Sequence, residues 1–448
     1  MKDPTEEHST QPSSAVSRRQ FLKSSSLAAA SAAAAMSFPS VLHAQASPPL
    51  NAVIIGVGGR GGGAGKNFEE ACKAAGVEGK IVAVADIFPG QAKGGGENFR
   101  LPADRCFSGF DCYMKALEVP GVNYAIIATP PGFKPPEFKA CVDAGKHVFI
   151  EKPVAVDGPG ARMMYAAGEV AKQKGLKVVA GTQRRHQAGY VDTIKRLQDG
   201  AIGDIVFMRA YWVNGGPIWH RGERGDTDLE KQIHNWYHYI WLCGDHICEQ
   251  HVHNLDVCNW AMGDVHPIKC WGQGSRQQLG DRSGEIWDNF DIEYEYANGV
   301  RLYSYCGQVK RDWSSVSEAV HGTKGTSNPG GSYNVKGGER WRSSLKLQHG
   351  DAYVQEHIDL INAIVKGTDL NETKNVTDST LTAIMGREAA YSGAEVKWDD
   401  ILNSKFAYGP ELLYEDCAKM QWGAFRTLKP PMPSQFNILK DPPMVPVA

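Results

Sequence analysis

The sequence lacks a surplus of charge of either sign, because 48 Lys and Arg residues are balanced by 50 Asp and Glu residues. Proteins that bind nucleic acids need a basic surface to displace counterions from phosphates, so this balance argues against a nucleic-acid partner. After residue 46, the chain also lacks an apolar run of the ~18 residues that a membrane-spanning helix needs. The 448 residues, 42% of them hydrophobic, are expected to form a globular protein of two or three domains.

Cys-x-x-Cys pairs are also absent, although the chain contains ten cysteines. Cys141, Cys258 and Cys306 lie inside apolar segments, where a cysteine behaves as a small hydrophobic residue. We therefore predict that most of the cysteines are buried thiols.

The first 46 residues have the features of an export signal. Arg18-Arg19 precedes Phe21-Leu22-Lys23, an apolar stretch runs from Leu27 to Met36, and Ala44-Gln45-Ala46 is a small-x-small cleavage site. This order resembles a twin-arginine signal, which directs folded bacterial proteins across the membrane. We expect residues 1–46 to engage the twin-arginine export machinery. The mature protein is then periplasmic or otherwise exported, after folding in the cytoplasm.

A glycine-rich turn follows near the start of the mature chain. Residues 51–55 are typical of an apolar strand, Gly56-Val57-Gly58-Gly59-Arg60-Gly61 follows at once, and a helical stretch runs over residues 64–75. The next strand, over residues 81–85, ends at Asp86. A strand, a glycine turn, a helix, a strand and an acid in this order indicate a dinucleotide-binding fold.

Each residue of this fingerprint has a mechanical role. Gly56 permits the tight turn, Gly58 lets the backbone approach the pyrophosphate, and Gly61 lets the helix pack close to the strand. Asp86 can accept hydrogen bonds from the adenosine ribose hydroxyls. Because Ile87 and not an arginine follows it, we expect NAD as the cofactor and consider NADP less favoured.

Further alternation of strands and helices predicts a parallel α/β sheet. Strands are expected over residues 124–129, 147–150 and 177–181, with a helix over residues 138–144. Ligands bind beyond the carboxyl ends of such strands, and Lys152 stands at one of these ends. We place the signal peptide at residues 1–46, a Rossmann NAD-binding domain at residues 47–182, and a substrate-binding and oligomerisation domain at residues 183–448.

The second domain contains a different kind of sheet. Residues 289–296 alternate strictly between polar and apolar side chains, as in a sheet with one buried face. Asn298-Gly299 then favours a tight hairpin turn. Other strands are expected over residues 205–212, 267–272 and 301–306. The Pro-rich tail that begins at Lys429 is expected to be loose and extended, with a clasp over the cofactor as the alternative.

Four segments of the chain resemble the Gfo/Idh/MocA oxidoreductases. They are the Gly56–Gly61 turn, Glu151-Lys152-Pro153, the acid–His–Asp segment Glu249–Trp260, and Gly386–Gly393. The resemblance implies an α/β protein with an N-terminal Rossmann dinucleotide-binding domain and a C-terminal α+β domain with an open, mostly antiparallel sheet. It also implies a carbohydrate substrate and a homodimer or homotetramer that pairs through the open sheet face.

The catalytic candidates are Lys152, His253 and Glu249. Lys152 would take the hydroxyl proton while hydride leaves for the nicotinamide. Glu249 and His253, four residues apart on one expected helix, share a face. The resemblance implies that they bind sugar hydroxyls and that the histidine acts as a base or shares the proton with the lysine. The alternatives are a surface lysine and a core histidine.

The other candidates bind the cofactor or the substrate. Trp219 and Trp236 offer aromatic faces to a sugar ring, whereas Arg184 and His186 belong either to a solvated basic turn or to a site for substrate oxygens. No metal is expected, since His251 and His253 point to different helix faces. The cofactor-binding candidates are Gly56, Gly58, Gly59, Arg60, Gly61, Asp86, Thr129, Pro130, Glu151 and Lys152. The substrate-binding candidates are Arg184, His186, Trp219, Trp236 and Gln250.

Taken together, these features predict an exported NAD(P)-dependent oxidoreductase that acts on a sugar, sugar alcohol or glycoside. An alternative is an NAD-dependent glycosidase of the same superfamily, which would oxidise, eliminate, hydrate and reduce with no net redox change. A third possibility is a noncatalytic sugar-binding protein, which would not need Lys152, Glu249 and His253. Export after folding further implies that NAD is tightly bound.

Overall fold

The computed structural model describes residues 48–215, 218–280, 284–338 and 340–448. The predicted signal peptide, residues 1–46, lies outside this described part. Within the same part, no helix is both long and apolar enough to cross a membrane.

The first sheet is built from short strands whose central members are almost entirely buried, as expected for a parallel sheet covered by helices on both faces. Its strands are β1 Leu50–Ile55, β2 Gly79–Asp86, β3 Cys106–Ser108, β4 Tyr124–Ile127, β5 His147–Ile150 and β6 Val178–Ala180. All neighbouring strands pair in parallel, in the order β3-β2-β1-β4-β5-β6. The reversal of strand order beside β1 is the position where such folds bind ligands, so the Rossmann prediction is confirmed.

Helices connect these strands and cover the sheet. The first begins at Gly59, five residues earlier than the hydrophobic pattern predicted, so part of the glycine turn is itself helical. The helices of this part are α1 Gly59–Ala75, α2 Pro89–Asn98, α3 Cys112–Leu117, α4 Lys134–Asp143, α5 Gly158–Gln173 and α6 Ala188–Gln198.

The second sheet has mostly antiparallel neighbours, which confirms the expected fold class. Its strands are β7 Ile205–Val213, β8 Lys269–Ser275, β9 Asn289–Glu295, β10 Arg301–Gly307, β11 Ser315–Gly322, β12 Gly325–Asn328, β13 Ser332–Val335, β14 Arg340–Arg342 and β15 Val396–Lys397. The order of strands in this second sheet is β14-β13-β12-β11-β7-β10-β9-β8-β15. Among its described strands, β7 and β10 are the only neighbours that pair in parallel.

The predicted hairpin is present between β9 and β10. Phe290, Ile292 and Tyr294 alternate on the buried face of β9. Glu295 pairs with Arg301 across the turn, and Gly299 takes a φ of +82° there. The hydrophobic alternation and the turn residues therefore specify this register together.

The helices of the remaining chain pack partly on the second sheet and partly on the first domain, and two of them carry catalytic candidates. They are α7 Asp228–His234, α8 Ile240–Cys243, α9 His246–Glu249, α10 Val252–Ala261, α11 Ala352–Lys366, α12 Thr373–Ser392, α13 Trp398–Leu402 and α14 Leu412–Glu415. The continuous helix expected through Glu249 and His253 is wrong, because the chain turns at Gln250-His251 between α9 and α10.

The Pro-rich tail is packed, so the expectation of a loose extension is also wrong. Phe436 is fully buried and Ile438 is only 5% exposed. Trp287 Nε1 donates a hydrogen bond to the Pro431 carbonyl at 3.0 Å. A short antiparallel bridge joins Asn437 to Met444. These contacts fix the tail to the second domain.

Nine of the ten cysteines are buried, and all ten are free thiols. Cys106 is the partly exposed one. The cysteines therefore serve as small hydrophobic residues, as predicted.

Candidate active site

A cavity with a volume of about 610 Å³ lies at the carboxyl ends of the parallel strands. Every strand of the first sheet contributes a residue at or just after its carboxyl end. These residues are Gly56, Asp86, Gly109, Ala128, Glu151 and Gly181. The opposite wall comes from the second part of the chain. Its residues include Trp212, Trp219, Arg221, Ile233, Trp236, Glu249, Gln250, His253, Tyr353 and Cys417.

The glycine turn is shaped so that the backbone itself forms part of the wall. Gly56 has a φ of +82°, and a Cβ there would lie 2.7 Å from the Thr129 nitrogen. A Cβ on Gly61 would lie 1.8 Å from the Gly56 carbonyl oxygen. Side chains are therefore excluded, and the unpaired N–H groups at the start of α1 face a space suited to a pyrophosphate.

Asp86 closes the turn from the neighbouring strand. Its carboxylate accepts hydrogen bonds from the backbone nitrogens of Val57 and Phe88, both at 3.1 Å. Burial raises the pKa of Asp86, and these two hydrogen bonds oppose that rise. The side chain lines the cavity at the position expected for a ribose acid. The cradle and this acid together fit a dinucleotide.

Lys152 and Glu249 meet across the two halves of the cavity. The Lys152 Nζ donates to the backbone carbonyl of Glu249 at 2.5 Å and lies 3.4 Å from its Oε1. Both side chains are largely buried, with 11% of each exposed. Burial raises the pKa of Glu249, although the Lys152 ammonium group opposes the rise.

His253 lines the same side of the cavity as Glu249, although the helix is broken between these two residues. Its ring stacks on Trp212 with centroids 6.0 Å apart. Burial, reinforced by the positive charges of Lys152 and Arg184, lowers the pKa of His253 well below its usual value. The imidazole is therefore neutral near pH 7 and only weakly basic, so it suits a hydrogen bond to a hydroxyl better than proton abstraction.

Two of the predicted cofactor-binding residues, Arg60 and Glu151, form an ion pair with each other. The Arg60 Nε donates to Glu151 Oε1, and its Nη2 lies 3.1 Å from Glu356 Oε1. The Arg60 guanidinium also lies over the Tyr353 ring, 4.8 Å from its centroid. Arg60 and Glu151 both line the cavity, so they shape its wall while their charges neutralise each other.

Thr129 and Pro130 lie on the wall beside Lys152. The Thr129 hydroxyl donates to Glu137 Oε2. Burial raises the pKa of Glu137 to about 8. Glu137 and the fully buried Lys134 were missed by the sequence analysis, because charged residues beside Pro135 and Pro136 are typical of an exposed helix start.

The two aromatic substrate candidates both reach the cavity wall. Trp219 and Trp236 both line the cavity, with their rings edge-to-face and centroids 5.9 Å apart. Gln250 lines it as well, at the turn between α9 and α10. Arg221, which stacks over Trp219 at 4.5 Å, is a further lining residue that the sequence analysis did not single out.

Arg184 and His186 do not line the cavity. Arg184 is buried and pairs with Glu318, while His186 lies 2.7 Å from Asp359 and 3.3 Å from Glu372. These carboxylates raise the pKa of His186 to about 10, although burial opposes the rise. Both residues are structural in this fold, and Gln183 is the residue of this basic turn that reaches the cavity.

Metal ligands are not grouped anywhere in the described part of the chain. Over these residues, no three His, Cys, Asp or Glu side chains lie close enough together to hold an ion. His251 Nε2 instead contacts the Ser304 hydroxyl at 2.7 Å, within the core.

Two family descriptions match most of the described chain. Residues 50–182 match "Oxidoreductase family, NAD-binding Rossmann fold", and residues 190–328 match "GFO/IDH/MocA C-terminal domain".

Among similar sequences are two inositol 2-dehydrogenases. The one from Rubrobacter xylanophilus is 26% identical over 276 residues, which are 61% of this chain and 69% of that protein. The one from Ralstonia nicotianae is 28% identical over 226 residues, 50% of this chain and 58% of that protein.

Solved structures share the fold across nearly their whole length. The aldose-aldose oxidoreductase from Caulobacter crescentus, complexed with glycerol, aligns with a TM-score of 0.62 at 21% identity, covering 78% of this chain and 99% of that one. Levoglucosan dehydrogenase, complexed with NADH and levoglucosan, aligns with a TM-score of 0.64 at 17% identity, with coverage of 78% and 99%.

Proposed function

This chain belongs to the Gfo/Idh/MocA family of NAD-dependent oxidoreductases, and we propose that it oxidises a ring hydroxyl of a cyclitol or sugar. The observation that carries the proposal is the contact between Lys152 on one wall of the cavity and Glu249 on the opposite wall, which His253 also lines. A proton acceptor, an acid and a neutral imidazole beside a dinucleotide cradle are the groups that oxidation of a CH–OH unit requires.

Lys152, Glu249 and His253 have separate roles in the proposed oxidation. Bound NAD supplies the acceptor for the hydride that leaves the carbinol carbon. The Lys152 amine takes the hydroxyl proton as the carbonyl forms, and the Glu249 backbone oxygen holds this amine in place. Glu249 and His253 bind neighbouring hydroxyls, since a carboxyl and a neutral imidazole can each donate or accept a hydrogen bond.

A cyclic polyol is the substrate class that fits this wall. Trp219 and Trp236 present aromatic faces at the cavity, and such faces suit the C–H surface of a sugar or cyclitol ring. The inositol 2-dehydrogenases are among the most similar sequences, which supports a polyol with several hydroxyls around one ring.

The test is a screen with purified protein and NAD. Candidate substrates are myo-inositol, scyllo-inositol, glucose, levoglucosan and a set of aryl glycosides. Growth of NADH absorbance with a cyclitol or sugar supports the proposal. Release of free sugar from glycosides without accumulation of NADH would instead support the hydrolytic alternative. NAD binding without reaction on any of these compounds contradicts the polyol proposal.

We also propose that the protein acts outside the cytoplasm, because Arg18-Arg19 and Ala44-Gln45-Ala46 form an export pattern. Replacement of Arg18-Arg19 by Lys-Lys should hold the unprocessed chain in the cytoplasm, as measured by cell fractionation. A homodimer or homotetramer is part of the same proposal. It is supported by the exposed rings of Tyr303, Tyr305 and Trp313 on or beside the second sheet, and light scattering tests it.

A further inference from the structure

The cavity wall contains a second lysine that the proposed mechanism does not use. Lys134, the first residue of α4, is 2% exposed and lines the cavity. Its Nζ donates to the backbone carbonyls of Lys152 at 3.1 Å and of Pro153 at 2.9 Å. Among the described residues, no carboxylate lies within ion-pairing distance of this Nζ. A buried cation without such a partner is costly, so its position calls for an explanation.

The two hydrogen bonds act on the segment that carries Lys152. They hold consecutive carbonyls on the first-domain side, while the Lys152 Nζ is held by the Glu249 carbonyl on the other side. The Lys152 side chain is thus fixed at both its backbone and its tip. Displacement of a reacting group by about 1 Å can cost about 100-fold in rate, so such fixation has a kinetic value.

Protonation of Lys134 changes its charge but not these contacts. Burial lowers the pKa of Lys134 to about 8, with the charges of Glu249, Glu151 and Glu137 opposing and that of Lys152 reinforcing the shift. A neutral amine keeps two N–H groups, which matches the two carbonyl acceptors. The hydrogen bonds therefore persist on both sides of this pKa, while the positive charge beside Lys152 is present below it.

We propose that Lys134 is a positioning residue, which holds the Lys152–Pro153 backbone so that the Lys152 amine stays aimed at the reacting hydroxyl. The inference rests on the proposed function, because it assigns a role within that reaction.

Three variants test this role. Lys134→Met removes the donors and the charge at nearly unchanged length. Lys134→Gln removes the charge but keeps two N–H donors. Lys177→Met is the matched control, since Lys177 is also a buried lysine, 6% exposed, but lies at the opposite end of β6 and pairs with Asp369.

We expect Lys134→Met to lower kcat by about 10- to 100-fold, with the KM for the polyol and the NAD dissociation constant within threefold of wild type. Lys134→Gln should recover most of kcat. Lys177→Met should match wild type in all of these measurements.

Several results would overturn the inference. They are a Lys134→Met kcat within threefold of wild type, an equal loss in Lys177→Met, or no recovery with Lys134→Gln. If Lys134→Met does not fold, a Lys134→Gln variant that keeps the wild-type kcat, although its new amide makes no hydrogen bond to the Lys152 and Pro153 carbonyls in a crystal structure, overturns it. A crystal structure of Lys134→Met needs no substrate. Departure of the Lys152 Nζ from the Glu249 carbonyl supports the inference, and an unchanged Lys152 contradicts it. An inactive wild-type enzyme would count against the proposed function alone.

Discussion

At the scale of single residues, the proposed mechanism assigns proton transfer to Lys152, because burial and the charges of Lys152 and Arg184 lower the pKa of the neighbouring His253. Lys152→Ala should lower kcat by about 10²–10⁴-fold, the usual contribution of a general base. NAD affinity, measured by fluorescence titration, should stay near that of wild type. Retention of activity within about threefold would assign proton transfer to another group.

Glu137 should make the stability of the fold depend on pH. Burial raises its pKa from 4.5 to about 8, so the folded chain keeps this carboxyl protonated where the unfolded chain ionises it. The resulting stabilisation is complete below pH ~4.5 and is lost as the pH rises through about 8. Glu137→Gln should therefore raise the melting temperature relative to wild type at pH 8.5 and change it little at pH 4.5. Equal shifts at both values would contradict the assignment.

The sequence did not indicate where Arg184 and His186 lie, because their charged partners are distant in the chain. Arg184 pairs with Glu318, and His186 with Asp359 and Glu372. No local pattern reveals these carboxylates, so both residues resembled cleft residues at a strand end. Lys134 was missed for the converse reason, since its acceptors are backbone carbonyls that carry no sequence signal.

At the scale of elements, β1, β2 and β4–β10 could be predicted to within a few residues, whereas β3 and β11–β15 were not predicted. Buried parallel strands are continuous apolar runs, and β9 alternates because one face is buried. The break between α9 and α10 could not be predicted, because Gln250 and His251 are compatible with a continuous helix. The turn nevertheless leaves Glu249 and His253 on the same cavity wall.

The chain after α14 packs on residues that line the cavity near Asp86, the residue predicted to bind the ribose of the cofactor. Phe88 and Phe110 line the wall near Asp86. Trp422 packs behind both, with ring centroids 5.7 Å from Phe88 and 4.8 Å from Phe110. The His234 ring is also stacked on Phe88, with ring centroids 4.1 Å apart. The C-terminal segment and α7 therefore brace the wall beside the predicted ribose acid.

Trp422→Ala should accelerate NAD release without affecting the chemistry. An aromatic pair is worth about 0.5–1.5 kcal/mol beyond its area burial. The loss of two pairs therefore sets an upper bound of about 5- to 160-fold on the increase in off-rate, because only the part of this energy that depends on bound NAD affects release. Stopped-flow displacement of NADH measures this rate. Trp313→Ala is the control, because Trp313 is 57% exposed and packs on Tyr211, outside the NAD cavity. Equal NADH off-rates in the two variants would show that the C-terminal segment does not affect cofactor release.

At the scale of the whole molecule, one cavity joins the parts of the chain that the sequence analysis assigned to separate domains. Residues from Gly56 to Gly181 form one wall, and residues from Trp212 to Cys417 form the other. A dinucleotide held between these walls contacts both parts, so its release requires contacts on both sides to break. This arrangement favours a slow off-rate and gives the proposed export route a physical means of keeping its cofactor.

The last prediction concerns that retention. An exported enzyme that released NAD at each turnover would stall, because the periplasm offers no cytoplasmic pool of dinucleotide. We expect protein purified from the periplasm without added cofactor to carry near-stoichiometric NAD or NADH, released on denaturation and measured by enzymatic cycling. Trp422→Ala, purified in parallel, should carry less, whereas Trp313→Ala should carry as much as wild type. A wild-type protein that leaves the cell empty and needs millimolar NAD would contradict both tight retention and export in the folded, loaded state.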